Sequence, residues 1–318
     1  MLFVIPAAAR RSLLVASAVC TLLVAGLARA EDEADSNLTL APDNADVLAI
    51  VEVAQIVESP AFQQIAKQFP AIGKQLDQPL SPETKLTARK VDSVFVAANT
   101  TSQDFVVVIN LNDEIEIDDL LSEAQQAQET KIGDYSLFAL EKDQTLCLVD
   151  ENTIAVGPKK TLTAVLKRDD EAKLAEVIAS AWENIDEDQQ ISVVATLDKL
   201  VKQNSAAIPA GLPITPDTLA KLQTLTFTAT TDAKQLTLSA NLDCTDAETA
   251  NQLKGLFDIV LKGVQQDGKT PAEIKQALRG VKSSTDEEIL AIDFSTDINV
   301  LIEQFKAQIN DALTAGAQ

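Results

Sequence analysis

An internal repeat constrains the fold of this chain more than any other feature of its sequence. Three segments of the first half match three segments of the second half in the same order. In chain order, the matching pairs are 47–57 with 191–201, 94–113 with 225–244 and 153–166 with 289–302, at offsets of 144, 131 and 136. Only four of the twenty pairs in the middle match are identical, so the argument depends on pattern and order. The matches predict a duplicated unit, with chance similarity of generic α+β segments as the alternative.

Each copy is predicted to contain a strand, a helix, a β-hairpin, further strands and a closing helix. Predicted strands are Val47–Val53, Val91–Ala98, Asp104–Leu111, Tyr135–Leu140, Thr145–Val149, Thr153–Val156, Ile191–Leu197, Leu225–Thr231, Gln235–Leu242 and Glu288–Phe294. Predicted helices are Ala54–Phe69 with a break or restart at Pro60, 117–124, 161–166, 174–182, Ala247–Val264, Pro271–Leu278 and Ile298–Leu313, the last capped by Thr296. The expected fold class is therefore α+β, in two related lobes, each a mainly antiparallel sheet packed with helices.

The predicted organisation has five parts. They are a signal peptide over 1–30, an acidic, flexible leader over 31–44, a first α+β repeat over 45–168, a connecting helix over 169–188 and a second α+β repeat over 189–318.

The amino terminus has the pattern of a secretory signal peptide. Arg10 and Arg11 precede an apolar run from Leu13 to Leu27, which ends at Ala28-Arg29-Ala30. A basic region, a short apolar core and a small-residue site predict cleavage after Ala30. An uncleaved anchor is the alternative, although the run is shorter than the ~20 residues of a spanning helix. The paired arginines also leave twin-arginine export open.

Two segments of the first copy carry a family resemblance. Asp46–Val53, which enters a helix, and Thr153–Pro158, followed by a helix from Thr161, resemble exported bacterial proteins of unknown function. Those proteins repeat a strand–helix–hairpin unit behind a signal peptide. The resemblance implies export and a non-catalytic role, and it supplies no active-site residues.

Charge and composition exclude several classes of function. The formal charge is −22 and histidine is absent. Catalytic triads with histidine and histidine-bound metals are therefore excluded. An acidic surface disfavours nucleic acid and anionic lipid headgroups, so we expect no nucleic-acid partner and no membrane association after signal cleavage. Aromatic residues at 4% argue against a carbohydrate-binding platform.

Motifs for catalysis are missing from the sequence. No glycine-rich phosphate loop and no serine-hydrolase spacing occur, so we predict no catalytic, cofactor-binding or metal-binding residues and no cofactor. Carboxylates are the remaining candidates, because a close pair could hydrolyse glycosides or hold calcium. They cluster at Asp113, Glu114, Glu116, Asp118 and Asp119 and at Asp186, Glu187 and Asp188, and a third group of oxygen ligands comprises Asn241, Asp243, Asp246 and Glu248. Asp246 and Glu248 also suit a helix N-terminus, which is the favoured interpretation.

Cys147 and Cys244 remain in the mature chain. They could pair in an oxidising compartment, but they occupy non-equivalent positions in the two copies. We favour two buried, unpaired thiols.

The two hairpins differ on one face. In the second hairpin, a turn centred on Asp232 and Ala233 would pair Phe227 with Leu238 and Thr228 with Thr237, with apolar residues on one face and hydroxyls on the other. Transferred to the first hairpin, this register pairs Val96 with Val107 and Ala97 with Val106. The face that carries hydroxyls in the second copy is then apolar in the first. Its residues are Phe95, Ala97, Val106 and Val108.

That second apolar face must be covered. The cover is either the protein itself, through the Leu174–Trp182 helix or the other lobe, or an external partner. We therefore predict that Phe95 and Val106 face away from their own lobe's core and belong to an inter-lobe or partner surface.

The sequence predicts an exported, non-enzymatic binding or scaffolding protein of the periplasm or extracellular space. Its partner would be another protein or a second copy. A carrier of an apolar small molecule and a carboxylate-dependent hydrolase are the alternatives. A largely apolar cavity between helices and sheet would favour the carrier. Two carboxylates facing each other in a cleft, one with a raised pKa, would favour the hydrolase.

Overall fold

The described part of the chain forms one antiparallel sheet of twelve strands with helices on both faces. The computed structural model describes residues 37–80, 84–140, 143–168, 170–186, 188–197, 216–268, 270, 272–303 and 306. The strands are β1 Val47–Glu52, β2 Val91–Asn99, β3 Asp104–Leu111, β4 Glu129–Ile132, β5 Tyr135–Ala139, β6 Gln144–Leu148, β7 Thr153–Pro158, β8 Ile191–Thr196, β9 Leu222–Thr231, β10 Gln235–Cys244, β11 Val281–Asp286 and β12 Ile289–Asp297. The α+β class is as predicted.

The helices are mostly short. They are α1 Val53–Glu58, α2 Pro60–Gln68, α3 Pro70–Leu76, α4 Ile117–Leu120, α5 Glu123–Gln126, α6 Lys159–Leu166, α7 Glu176–Glu183, α8 Pro216–Leu219, α9 Ala247–Gln266 and α10 Ala272–Ala277. A further helix, α11, begins at Ile298. Short 3₁₀ turns at Ala88–Lys90 and Leu278–Gly280 lead into β2 and β11. Among the described residues, none of the helices combines the length and apolar character needed to cross a membrane.

The two halves share a single sheet rather than forming one sheet each. The strand order is β11-β12-β10-β9-β8-β1-β2-β3-β7-β6-β5-β4, and the first strands of the two halves, β1 and β8, pair at its middle. Outward from β1 the order is β2, β3, β7, β6, and outward from β8 it is β9, β10, β12, β11. The expectation of two related lobes, each with its own sheet, is not confirmed, because β1 and β8 pair and join the two halves in one sheet.

Strand registers also correspond between the halves. Val47 pairs with Ala98 in the first half, and the offsets 144 and 131 transfer this pair to Ile191 and Ala229, which do pair. Ala49 pairs with Val193 across the middle of the sheet, and these two residues are equivalent at the offset of 144.

The first hairpin has the predicted register, and the second does not. Val96 pairs with Val107, whereas Phe227 pairs with Ala240 instead of Leu238. Asp232 causes the shift of two residues, because its Oδ1 accepts the backbone N–H groups of Lys234 at 2.6 Å and Gln235 at 2.7 Å. An aspartate that accepts in this way starts a turn rather than standing at its centre. A shift of two keeps every side chain on its predicted face.

Both faces of the sheet carry a core. Face A, which contains Phe95 and Val106, packs against α6, α7 and the segment 37–45. Face B, which contains Val94 and Val107, packs against α1 and α4 in the first half and α9 in the second.

Part of the predicted acidic leader belongs to the core. Asn37 and Ala41 are buried, and Leu38 and Leu40 pack against face A. The prediction of a flexible segment up to Asn44 was therefore wrong from Asn37 onward, because apolar residues in this segment cover the sheet. The predicted signal peptide and residues 31–36 lie outside the described residues.

Candidate functional site

The four residues predicted to form an inter-lobe or partner surface lie inside the protein. Phe95, Ala97, Val106 and Val108 are completely buried on face A. The ring of Phe95 meets Trp182 of α7 edge to face, with centroids 5.7 Å apart and an interplanar angle of 75°. Helices of the chain itself cover this face, so the four residues are inaccessible to an external partner.

The alternation behind that prediction is correct. Val106 belongs to the core on face A, while its neighbour Val107 packs on face B. Phe95 and Val106 therefore do face away from the core that contains Val94. The first half of the sheet is covered on both sides, and the sequence alone left open what supplies the second cover.

Acidic residues of the first two clusters lie at the surface. Asp113, Glu114, Asp186 and Asp188 are exposed. Asp119 forms a salt bridge with Lys85 at 2.6 Å. The hydrogen bond from Lys85 lowers the pKa of Asp119, which is the opposite of what a general acid requires.

The third cluster caps a helix. Asp246 is the N-cap of α9, where its Oδ1 accepts the N–H of Thr249 at 2.7 Å and the Thr249 hydroxyl at 2.8 Å. These bonds and a salt bridge from Lys221 at 3.1 Å hold the pKa of Asp246 well below its usual range. The favoured interpretation of Asp246 as a capping residue is confirmed.

Each carboxyl with a resolved pKa shift in the described part of the chain is shifted downward, at Asp104, Asp119, Asp232, Asp246 and Asp258. The raised carboxyl pKa that would favour a hydrolase is therefore not among them. Within the same residues, no group of three or more Asp, Glu or Cys side chains has the arrangement of a metal site.

Both described cysteines are free and buried. Cys147 lies in the core on face A, and Cys244 lies in the core beneath α9 on face B. Burial raises the pKa of each thiol to about 11, so neither has the character of a reactive thiolate.

An apolar cavity of about 550 Å³ lies between α9, α10 and face B of the second half. Its size falls within the range of small-ligand pockets. Its lining residues are Phe227, Leu238, Ser239, Ala240, Phe257, Val260, Leu261, Val264, Ile274, Leu278, Val281, Ile292 and Phe294.

The sheet forms the floor of this cavity. Phe227, Ala240 and Ile292 stand side by side on three adjacent strands, and Leu238 pairs with Phe294 in the next row. Ala240 is the smallest side chain of this set. A methyl group between larger neighbours leaves space above the sheet that the helix must either fill or leave open.

Helix α9 forms the roof. Phe257, Val260, Leu261 and Val264 follow the i, i+3, i+4, i+7 spacing that places them on one helical face. Polar contacts fix the helix beside the cavity: the Ser283 hydroxyl of β11 donates to Asp258 at 2.6 Å, and Gln265 donates to the carbonyl of Leu278 at 3.1 Å.

Apolar side chains continue from the cavity to the surface. Val260 is 45% exposed and Ile274 is 44% exposed, although both line the cavity, and the neighbouring Ile259 is 68% exposed. These three residues are called the rim below. An open apolar rim distinguishes the cavity from a packing defect sealed inside a core.

The sequence analysis treated α9 as an ordinary amphipathic helix and did not identify the cavity. One signal was present in the sequence. Leu256 and Ile259 add apolar residues outside the helical stripe of Leu253, Phe257 and Leu261. The register of β10 was also needed, since it places Ala240 between Phe227 and Ile292.

Comparison with known proteins yields structural likenesses only. No family model and no curated protein matches this chain. Crystal form III of TP0453 is 13% identical, with a TM-score of 0.49, over 84% of this chain and 96% of that chain. Crystal form I is 13% identical, with a TM-score of 0.44, over 87% of this chain and 96% of that chain. At these values the likeness supports no conclusion about function.

Proposed function

We propose that this protein is an exported, non-enzymatic binding protein that carries an apolar ligand in the cavity beneath α9. The observation that carries the proposal is the combination of about 550 Å³ of apolar space with an exposed apolar rim. Burial of ligand hydrocarbon against these walls contributes roughly 25 cal/mol for each Å² of apolar surface removed from water. This function replaces protein scaffolding through Phe95 and Val106, which are enclosed by the chain.

Export is supported by the arginine pair, the apolar run and the Ala28-Arg29-Ala30 site. The location is periplasmic or extracellular. Intact-mass measurement of the protein from its native host tests this part, with a mature chain beginning at Glu31 as the expected result. A chain that keeps Met1 to Ala30 would refute cleavage and support an anchor.

A non-enzymatic role is supported by the lowered pKa values of Asp119 and Asp246 and by the absence of histidine from the sequence. The walls of the cavity are also poor in groups that could act on a substrate, because hydrocarbon side chains neither donate nor accept protons.

We also propose that the two halves arose by duplication. The matching strand order outward from β1 and β8 supports this, as does the transfer of the Val47–Ala98 pair onto Ile191–Ala229. On this proposal the cavity is a feature of the second copy, where α9 lies over the sheet.

The binding function can be tested with the neutral fluorophore N-phenyl-1-naphthylamine. The protein should bind it at one equivalent with enhanced emission. Ala240→Phe should weaken binding by at least about tenfold, because the new ring occupies the floor of the cavity.

A matched control is available on the next strand. Ala291 of β12 faces the opposite side of the sheet from its neighbour Ile292, so Ala291→Phe makes the same change outside the cavity and should bind the probe normally. Val260→Glu should also weaken binding of the probe. Because Val260 is half exposed at the rim, this substitution should leave the packing of the core unchanged. Equal binding by all these proteins, or no saturable binding by the unmodified protein, would overturn the proposal.

A further inference from the structure

The part of the chain that covers the cavity has the opposite charge from the rest of the protein. Between Leu253 and Lys282, the sequence contains six Lys or Arg and three Asp or Glu, in a chain with a formal charge of −22. This stretch includes the second half of α9, all of α10 and the start of β11. A basic excess in one segment of so acidic a chain points to a local electrostatic role.

Three of these cations adjoin residues that line the cavity. Lys262 follows Leu261, Lys275 follows Ile274 and Arg279 follows Leu278. Lys262 and Arg279 are exposed, and Lys275 is half-buried.

None of these three cations forms a salt bridge with a carboxylate that the structure describes, whereas Lys254 pairs with Asp258 at 2.7 Å. The charge of Lys262 also acts on Asp258 and helps to lower its pKa, from beyond salt-bridge distance. The three cations are therefore not held in close ion pairs with the described carboxylates.

The walls determine how a ligand must lie. A polar or charged group buried among hydrocarbon side chains loses its hydrogen bonds to water without replacement, which costs free energy. The ligand therefore places only hydrocarbon inside and leaves any polar group at the rim, close in the chain to Lys262 and Lys275.

We infer that the ligand is a single-chain anionic amphiphile, such as a long-chain carboxylate. This inference rests on the proposed carrier function and specifies its ligand. The hydrocarbon tail occupies the cavity, and the anionic head lies in water near the cations of the basic segment. Elsewhere the acidic surface repels such a ligand, so the basic segment is also the favoured approach route.

Comparison of palmitate with hexadecan-1-ol separates the contribution of the charged head group to binding from that of the hydrocarbon chain. The two chains have the same length, and only palmitate is charged. Binding of each should be measured to the full mature protein at low ionic strength. The double variant Lys262→Glu, Lys275→Glu should bind palmitate about tenfold more weakly, since it removes two weak, exposed attractions to the head group and adds repulsion. Hexadecan-1-ol should bind this variant as it binds the unmodified protein.

Lys131→Glu, Lys167→Glu is the matched control. It makes the same change of net charge on two exposed lysines of the first half, one on β4 and one just after α6. Palmitate should bind this control with no more than about a twofold loss, because screening weakens charges beyond a Debye length of ~10 Å at 0.1 M salt.

The outcomes distinguish the two proposals. If neither probe binds the unmodified protein, the carrier function itself fails. If both probes bind equally and the Lys262, Lys275 variant keeps its palmitate affinity, the carrier function stands and the anionic ligand class is overturned. Loss of hexadecan-1-ol binding in the variant would also overturn the assignment, because the two lysines would then support the cavity rather than the head group.

Discussion

Ser59 illustrates how one side chain fixes the path of the backbone between two helices. Its Oγ accepts the N–H of Phe62 at 2.9 Å and donates to the carbonyl of Ile56 at 2.8 Å. We expect Ser59→Ala to lower the free energy of unfolding by about 1 kcal/mol, as for other N-cap losses. Urea denaturation measures this. Ser59→Asn, which keeps an acceptor, should lose less, and equal losses in the two variants would contradict the capping role.

A substitution of Val106 tests, also at the scale of one residue, whether face A is closed to solvent. Val106→Asp should abolish folding or remove at least about 3 kcal/mol of stability, because it places an unpaired carboxylate in the core with Trp182. Thr228→Asp is the control, since Thr228 stands on the same face of the second half and is only partly buried.

Far-UV circular dichroism and a thermal melt measure both variants. A folded Val106→Asp protein with normal stability would show that this face is open to solvent.

At the scale of the element, helix α9 depends on its cap for part of its stability. The pKa of Asp246 is lowered in the folded state, so the carboxylate adds stability that is fully present above its unfolded pKa of ~3.9 and is lost as the pH falls through the folded value. We expect the acid side of the stability profile, below about pH 4, to be flatter in Asp246→Asn than in the unmodified protein. Urea denaturation at several pH values checks this, and parallel profiles would contradict it.

Local sequence patterns predicted the first hairpin better than the second. The pairing of Val96 with Val107 is correct, although it was transferred from the register assumed for the second hairpin. In the second hairpin, the hydrogen bonds of Asp232 moved the turn by one position, and pattern matching between repeats could not reveal this. The strands β4 and β11 were missed because their residues, Glu129–Ile132 and Val281–Asp286, are mainly polar, as edge strands often are.

The cap of α11 was predicted one residue early for a similar reason. Asp297 rather than Thr296 accepts the N–H of Asn299 at 2.7 Å. Both residue types favour this position, so only the backbone path at the end of β12 distinguishes them.

At the scale of the whole molecule, the shared sheet should make the two halves unfold together. Cys147 reports on the first half and Cys244 on the second, and both thiols are buried. We expect mature variants that keep one cysteine each to resist thiol labelling when folded and to become reactive at the same urea concentration. Pulsed labelling with mass detection measures this.

A variant without cysteine supplies the background for that experiment. If Cys244 became reactive well before Cys147, the halves would be independent folding units and the β1–β8 pairing would contribute little to cooperativity.

The candidate site shows what a sequence leaves undetermined. The basic segment from Leu253 to Lys282 and the apolar residues of α9 are visible in the sequence. The cavity is not, because it depends on the separation of α9 from the sheet and on which strand residues stand beneath it. Ala240 becomes part of a floor only through partners on β9 and β12, thirteen residues away in one direction and fifty-two in the other.

The pairing at the middle of the sheet also sets an order of events during folding. β2 and β3 are joined by a short turn and can associate as soon as both have been synthesised. In contrast, Leu48 of β1 cannot pair with Val194 until β8 has been synthesised. Contacts between residues so far apart in sequence form slowly, because the intervening chain loses entropy before the contact is made. Until then the outer edge of β1 is an unpaired, apolar strand, so the nascent chain is most prone to aggregation before its second half arrives.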